Sequence, residues 1–140
     1  VDYEIFGGMI VMNLTLNHLV MPEFRHLIYI VRNEQIYKEQ LLITHIFPNS
    51  KIAEYNTIPE HSLINKINNI KVRNLREFRD AIKKPIKKNG KLFITIETDN
   101  KDKVILNMNE VLKQENELKK MYKYQKSNVV NKIDNLFGKK

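Results

Sequence analysis

The segment "HSLINKINNIKVRNLREFRDAIKK", residues 61–84, combines three local signals in a fixed order. Two short runs rich in isoleucine and valine are separated by Asn68 and Asn69. Asparagine tolerates the left-handed backbone conformation that a tight hairpin turn requires. Asn74 then precedes a run in which apolar residues recur with helical spacing, as expected of an N-capped helix. The segment therefore predicts a β-hairpin followed by a capped helix.

Downstream of this segment the sequence predicts a second hairpin and then helices. Residues 91–98 alternate between two sets of side chains with a period of two, and residues 103–108 alternate again after a polar turn. Beyond them, apolar residues follow helical spacing after a possible cap at Asn109 and again over residues 129–137. We expect a β-hairpin followed by two amphipathic helices.

Upstream, the patterns are those of strands with an irregular insertion. "QLLITHIF", residues 40–47, is rich in strand-forming residues and ends at the turn signal Pro48-Asn49-Ser50, after which Ser50 can cap a short helix. Residues 9–12 form a second apolar run typical of a strand. Between these runs the pattern is mixed, and it predicts a helix from about residue 24 that leads into a polar connection.

The stretch "YEIFGGMIVMNLT", residues 3–15, has a glycine pair directly before an apolar run. A phosphate-binding loop would continue with Gly-Lys-Ser/Thr before a helix, and a dinucleotide fingerprint needs a third glycine, so both are excluded. A glycine turn can instead point free backbone N–H groups at an anion such as a terminal carboxylate. A simple strand kink or bulge explains Gly7 and Gly8 equally well on local evidence.

The sequence offers no constellation of catalytic or metal-binding residues. It has no cysteine, and its four histidines lack metal-ligand spacing. None of the three serines lies in a glycine-rich nucleophile turn. The serines are Ser50, Ser62 and Ser127, and the histidines are His18, His26, His45 and His61. We therefore expect no catalytic residue, no metal site and no cofactor.

The charge balance is strongly basic, yet it disfavours a nucleic-acid partner. The net charge is +8 over 140 residues, but 19 of the basic residues are lysine and only 5 are arginine, the residue that best recognises phosphate and base edges. Residues 113–140 alone contribute +5. Abundant lysine, isoleucine and asparagine are typical of an AT-rich genome.

No apolar run approaches the length of a membrane span. Because the chain begins at Val1, we interpret it as part of a longer protein, and no localisation is indicated.

In their sequence order these segments resemble a PDZ domain of the circularly permuted kind found in HtrA/Deg serine proteases. The three segments "YEIFGGMIVMNLT", "KEQLLITHIF" and "EHSLINKINNIKV", together with the helical C-terminal extension, look like the second PDZ domain of plant-type Deg proteases, including protist homologues. The usual Gly-Asp is replaced by Glu60-His61, and the glycine of the usual "ING" by Asn69. The second change is mild because asparagine tolerates positive φ.

The resemblance implies an α+β fold, a small β-sandwich or partly open barrel capped by helices. We expect residues 1–110 to form the PDZ domain, with an insert at about residues 16–40. Residues 111–140 would form a helical extension that packs on this domain or on a neighbouring subunit.

The resemblance also implies a peptide groove. Its carboxylate loop would be residues 6–9, its strand for β-augmentation residues 9–12, and its wall would come from the helix near residue 78. The candidate groove residues are Phe6, Gly7, Gly8, Met9, Ile10, Val11, Met12, Phe78 and Ile82.

The function implied is non-catalytic: oligomerisation and regulation of a serine endopeptidase in protein quality control, with other subunits or domains of the same protease as partners. The groove would be filled by the protein's own chain, from the insert or the C-terminal helices. The candidate subunit contacts are Val129, Val130, Ile133, Leu136 and Phe137. Apolar stripes of this kind also form ordinary core. The alternatives are a module that binds peptide C-termini and, third, a basic nucleic-acid-binding domain.

Overall fold

The chain folds into one curled antiparallel sheet closed by helices, in a computed structural model that describes residues 2–15, 18, 20–27 and 39–138. The described residues form eight strands of this sheet. They are β1 (Glu4–Phe6), β2 (Met9–Asn13), β3 (Leu41–Ile46), β4 (Leu63–Ile67), β5 (Ile70–Lys71), β6 (Ile86–Lys88), β7 (Lys91–Thr98) and β8 (Lys103–Asn107). The expected α+β class is confirmed.

The helices are capped by side chains that the sequence places at their starts. They are α1 (Lys51–Tyr55), α2 (Leu75–Ile82), α3 (Met108–Tyr122) and α4 (Asn128–Phe137), with a 3₁₀ helix at Pro22–Leu27. Ser50 caps α1 and Asn74 caps α2, both as predicted. The predicted cap of α3 at Asn109 is wrong: Asn107 accepts the bond from the Glu110 N–H, so the helix begins at residue 108.

The strand order along the sheet is β1-β2-β3-β4-β7-β6, while β5 pairs with β4 and β8 pairs with β7. The two predicted hairpins are confirmed. In the first, Asn68 and Asn69 have φ values of 53° and 64°, the left-handed conformation expected of this turn. The sheet curls into a half-barrel around a continuous apolar core that includes Phe6, Ile43 and Ile94.

The replacement of the usual Gly-Asp by Glu60-His61 is accommodated by polar contacts. His61 takes a φ of 70°, a conformation that glycine would adopt without strain. The Glu60 carboxylate accepts a 2.9 Å hydrogen bond from the Ile46 N–H and lies 3.1 Å from Nδ1 of His45. These contacts connect the loop before β4 to the end of β3.

The C-terminal helices share the core of the sheet. Val111 and Leu112 of α3, and Val130 and Ile133 of α4, all belong to the main apolar cluster. The hydrophobic core therefore continues past residue 110, where we expected the helical extension to begin. This packing corrects one expectation, because Val130 and Ile133 are fully buried within the chain and are not available to a second subunit.

The described part of the expected insert carries a small core of its own. Phe24 and Leu27 of the 3₁₀ helix pack with Leu42 and Leu63 of the sheet. The remainder of the helix predicted from residue 24, residues 28–38, lies outside the described residues. Within the described part of the chain, no group of three or more potential ligands could hold a metal ion. No described helix is long and apolar enough to cross a membrane.

Candidate functional site

Gly7 and Gly8 form a two-residue turn between β1 and β2. Phe6 pairs with Met9 across the turn, and both glycines have positive φ, 64° and 86°. Two-residue hairpins of this kind require positive φ at both central positions, which explains a glycine pair. At Gly8 the space is also restricted, because a Cβ there would lie 2.2 Å from Cβ of Ser50. The pair is therefore a hairpin turn packed against the turn after β3.

Strand β2 has partners on both of its edges. On one edge it pairs with β3, with a register irregularity between Ile10 and Val11. On the other edge it pairs antiparallel with β1, in the register Glu4 with Val11 and Phe6 with Met9. Neither edge of residues 9–11 is left free for an added strand, because the chain itself supplies the antiparallel neighbour.

Helix α2 holds the start of this neighbouring strand. Arg79 makes a bidentate pair with Asp2, with distances of 2.9 and 3.1 Å from its two terminal nitrogens. It also donates a 3.1 Å hydrogen bond to the carbonyl of Tyr3 and lies 3.8 Å from the carboxylate of Glu4. The hydrogen bond from Arg79 lowers the pKa of Asp2. The N-terminal segment is thus bound to the helix.

A buried carboxylate from α3 reaches the glycine turn. The Gly7 N–H donates a 2.6 Å hydrogen bond to Oε1 of Glu115, and the hydroxyl of Tyr124 donates a 2.8 Å bond to Oε2. Glu115 is 0% exposed. A buried carboxylate is costly unless its oxygens accept hydrogen bonds, and here both do. The turn therefore binds an anion, and that anion belongs to the same chain.

Burial dominates the electrostatics of this carboxylate. It raises the pKa of Glu115, while the hydrogen bonds from Tyr124 and Gly7 and the charge of Lys126 oppose the rise. The pKa of Tyr124 is also raised, by burial and by the adjacent Glu115 carboxyl. The hydroxyl therefore stays protonated and remains a donor.

A second buried carboxylate also joins the N-terminal hairpin to the C-terminal helices. Here the carboxylate lies on the hairpin and the donor lies at the start of a C-terminal helix. Glu4, on β1, accepts a 2.5 Å hydrogen bond from the hydroxyl of Ser127, which also caps α4. Burial raises the pKa of Glu4, and the Ser127 hydrogen bond opposes the rise. Phe47 stacks on Tyr122 at 4.3 Å between ring centroids. The C-terminal helices thus contact the sheet and the end of β3 through polar and aromatic groups, and Ser127 joins them directly to the β1–β2 hairpin.

The family to which this geometry belongs is shown by comparison with known protein families. Residues 1–128 match the profile of the PDZ domain. The chain belongs to the PDZ domain family. A comparison of the full sequence with curated proteins finds no significant match. PDZ domains are protein–protein interaction modules that bind an extended peptide as an added strand on a sheet edge. The match extends over all of α3, so the helix that carries Glu115 lies inside the PDZ region.

In this PDZ domain most of the predicted groove residues are core residues. Phe6, Met9, Val11, Phe78 and Ile82 are all buried and belong to the main apolar cluster. Ile10 and Met12 face the other side of β2 and are half-buried. The structure therefore brings β2, the glycine turn and α2 together, with β1 lying along β2.

The predicted subunit contacts divide differently. Val130 and Ile133 are fully buried, and Val129 and Phe137 are partly buried against the core. Leu136 is 59% exposed, so it is the member of the set that presents most of its side chain to solvent.

Sequence reasoning missed two parts of the PDZ site, strand β1 and Glu115. The signal for β1 was the glycine pair itself, flanked by apolar residues that could pair across a two-residue turn. The signal for Glu115 was its position on α3, four residues after Val111 and three before Leu118 on the apolar side of the helix. A charged residue at such a position needs a buried partner.

Proposed function

We propose that this chain is a self-occluded PDZ domain that works through contacts between folded protein surfaces and does not capture free peptide C-termini. The observation that carries the proposal is the double occupation of β2. Its outer edge is paired with β1, and the N–H of Gly7 is bonded to the Glu115 carboxylate. A C-terminal peptide would need both positions.

We further propose that the domain is the second PDZ domain of a plant-type Deg/HtrA serine protease, where it serves oligomerisation and regulation. The order of the segments supports this assignment: the glycine turn and β2 precede the strand, helix and hairpin of the remaining domain. A helical extension that is built into the core also agrees with a domain whose role is architectural.

Titration with labelled hydrophobic C-terminal peptides tests the occlusion. We expect no saturable binding in fluorescence anisotropy, because a peptide would have to displace a covalently linked strand and a buried carboxylate. Saturable binding that disappears when the peptide's terminal carboxylate is amidated would support the alternative, a module that recognises substrate or activator C-termini. Amidation of the peptide is a cleaner control than Gly8→Glu, since any side chain at Gly8 collides with Ser50.

Light scattering of the full-length protein tests the assembly role. We propose Leu136→Asp as the probe, because Leu136 is exposed on α4 and its replacement leaves the core intact. Asn135→Asp, at an exposed position on the same helix, adds the same single negative charge and is the matched control. A smaller oligomer for Leu136→Asp alone is the expected result. Unchanged assembly of both variants would remove α4 from the subunit contacts.

A further inference from the structure

Across β6, β7 and β8, most described side chains on the side of the sheet opposite the core are exposed or partly exposed, and Thr95, near the centre, is buried. In antiparallel pairs, residues directly opposite each other project to the same side of the sheet. Ile94 and Leu106 are buried in the core, so their neighbours in sequence project outward. The outward residues at these register positions are Ile86, Lys88, Lys91, Phe93, Thr95, Glu97, Lys103, Ile105 and Asn107. We refer to Ile86, Lys88, Lys91, Phe93, Lys103 and Ile105 among them as the basic sheet face.

The centre of the basic sheet face is apolar. Ile86 lies directly opposite Phe93. Ile105 lies directly opposite Thr95, two residues along β7 from Phe93, so Phe93 and Ile105 are diagonal neighbours. Diagonal neighbours are within reach of an aromatic side chain. Ile105 is 57% exposed, and Ile86 and Phe93 are partly exposed. The three side chains therefore form a short apolar strip that crosses three strands.

The rim of this face is positively charged, and its lysines outnumber the carboxylates opposite them. Lys88 lies directly opposite Lys91, an arrangement of like charges that costs stability. Lys103 is opposite Glu97, the single carboxylate among these outward register positions. Among the described residues, Lys88, Lys91 and Lys103 make no ion pair within 4 Å. An anionic partner would relieve the repulsion that the fold leaves in place.

Three other roles explain the lysine rim and the apolar strip less completely: protection of the sheet edge, self-association and nucleic-acid binding. Lysine on edge strands prevents edge-to-edge association, which could explain the charge on β6, but it needs no apolar strip across the strands. A second copy of the same face would bring two sets of lysines together and would be repelled. None of the six residues of the face is an arginine, which disfavours nucleic acid.

We propose that the basic sheet face binds an acidic protein segment whose carboxylates meet the lysine rim and whose apolar side chains cover Phe93 and Ile105. This binding is independent of the groove beside β2, because β1 and β2 are not part of this face. The partner is recognised by alternating charge and apolar contact, so its affinity falls as salt screens the rim.

The test uses a labelled synthetic peptide in which glutamate alternates with leucine and phenylalanine. We expect saturable binding in anisotropy, weakened by added salt, with amide shift changes in an NMR titration confined to β6, β7 and β8. The double variant Lys88→Glu/Lys91→Glu should weaken binding about tenfold or more. Ile105→Thr, which keeps a good strand former at an exposed position, should weaken it by about threefold.

The matched control is Lys113→Glu/Lys119→Glu, which makes the same charge change at exposed positions of α3. It should change the affinity by less than about twofold. Absence of binding, equal losses in the two double variants, or unchanged binding of a peptide with glutamine in place of glutamate would each overturn the proposal. Tighter binding to single-stranded DNA or to phosphatidylserine vesicles than to the acidic peptide would also overturn it.

Discussion

Replacing Glu115 with alanine should lower the free energy of unfolding by about 2–4 kcal/mol. The variant leaves the N–H of Gly7 without its acceptor inside the protein, and an unsatisfied buried donor costs about 1–3 kcal/mol. The Tyr124 hydroxyl loses its acceptor as well. Removing a fully buried side chain also leaves a cavity, which adds about 1 kcal/mol or more. Relief from the cost of burying a charge offsets part of this sum.

Glutamine at the same position should behave very differently. Its amide oxygen can accept from the Gly7 N–H and its amide nitrogen can donate to the Tyr124 oxygen, so both contacts survive without a charge. We expect Glu115→Gln to stay within about 1 kcal/mol of the wild type. The matched control is Glu117→Ala, an exposed position on the same helix, which should change the stability by less than about 0.5 kcal/mol.

Urea denaturation followed by circular dichroism, repeated across pH, measures these differences. Burial raises the pKa of Glu115 in the folded state, so the proton-linked part of its contribution to stability is present below the unfolded pKa and is lost as the pH rises through the folded value. As the pH rises between the unfolded and folded pKa values of Glu115, the wild type should therefore lose stability relative to Glu115→Gln. The hydrogen bonds to Gly7 and Tyr124 and the packing of the side chain still contribute at neutral pH. Two results would exclude this role for Glu115: equal stability of Glu115→Ala and Glu117→Ala at neutral pH, or coincident pH profiles of the wild type and Glu115→Gln.

Two further sets of substitutions separate the parts of the closed groove. Gly7→Ala adds a side chain in open space and carries only the strain of positive φ, about 1–2 kcal/mol, whereas Gly8→Ala also collides with Ser50 and should cost at least about 3 kcal/mol in urea denaturation. Equal losses would contradict the packing at the turn. Arg79→Met removes the pair with Asp2 while keeping an apolar stem, and it should raise amide hydrogen exchange in β1 without changing that of β7. Unchanged exchange in β1 would show that Arg79 does not hold the strand.

The elements that could be predicted from the sequence are those whose signals are local. Asn68 and Asn69 specify a turn by their own backbone preference, and Asn74 specifies a helix start by its side chain, so both were found without knowledge of the fold. The alternation in residues 91–98 indicated β7 because one face of that strand is buried. These features depend on neighbours a few residues away.

The candidate site could be predicted only in part, because its contacts join distant parts of the chain. Gly7 and Glu115 are 108 residues apart, and Glu4 and Ser127 are 123 residues apart. No local pattern reports which carboxylate reaches which donor. The prediction of the α3 cap was wrong for a more local reason. Asn107 and Asn109 both precede the apolar stripe, and the end of β8 decides which one caps the helix.

The packing of α4 shows a second limit of pattern alone. A helix with an apolar stripe needs a covering surface, but the stripe does not say whether that surface belongs to the same chain. Here it does for Val130 and Ile133, while Leu136 remains exposed. Leu136 is the residue to test as a subunit contact because its side chain is exposed, and not because it belongs to the apolar stripe of α4.

Occupation of the outer edge of β2 by β1 can be measured at a single amide, that of Val11. Hydrogen-bonded pairs alternate outward from the turn between Phe6 and Met9, so the Val11 N–H points at Glu4 on β1. We predict that this amide exchanges as slowly as that of Ile96 in the middle of the sheet, and that an excess of hydrophobic C-terminal peptide leaves its NMR shift unchanged. Fast exchange at Val11 with a protected Ile96, and a saturable shift on adding peptide, would show that the groove is open.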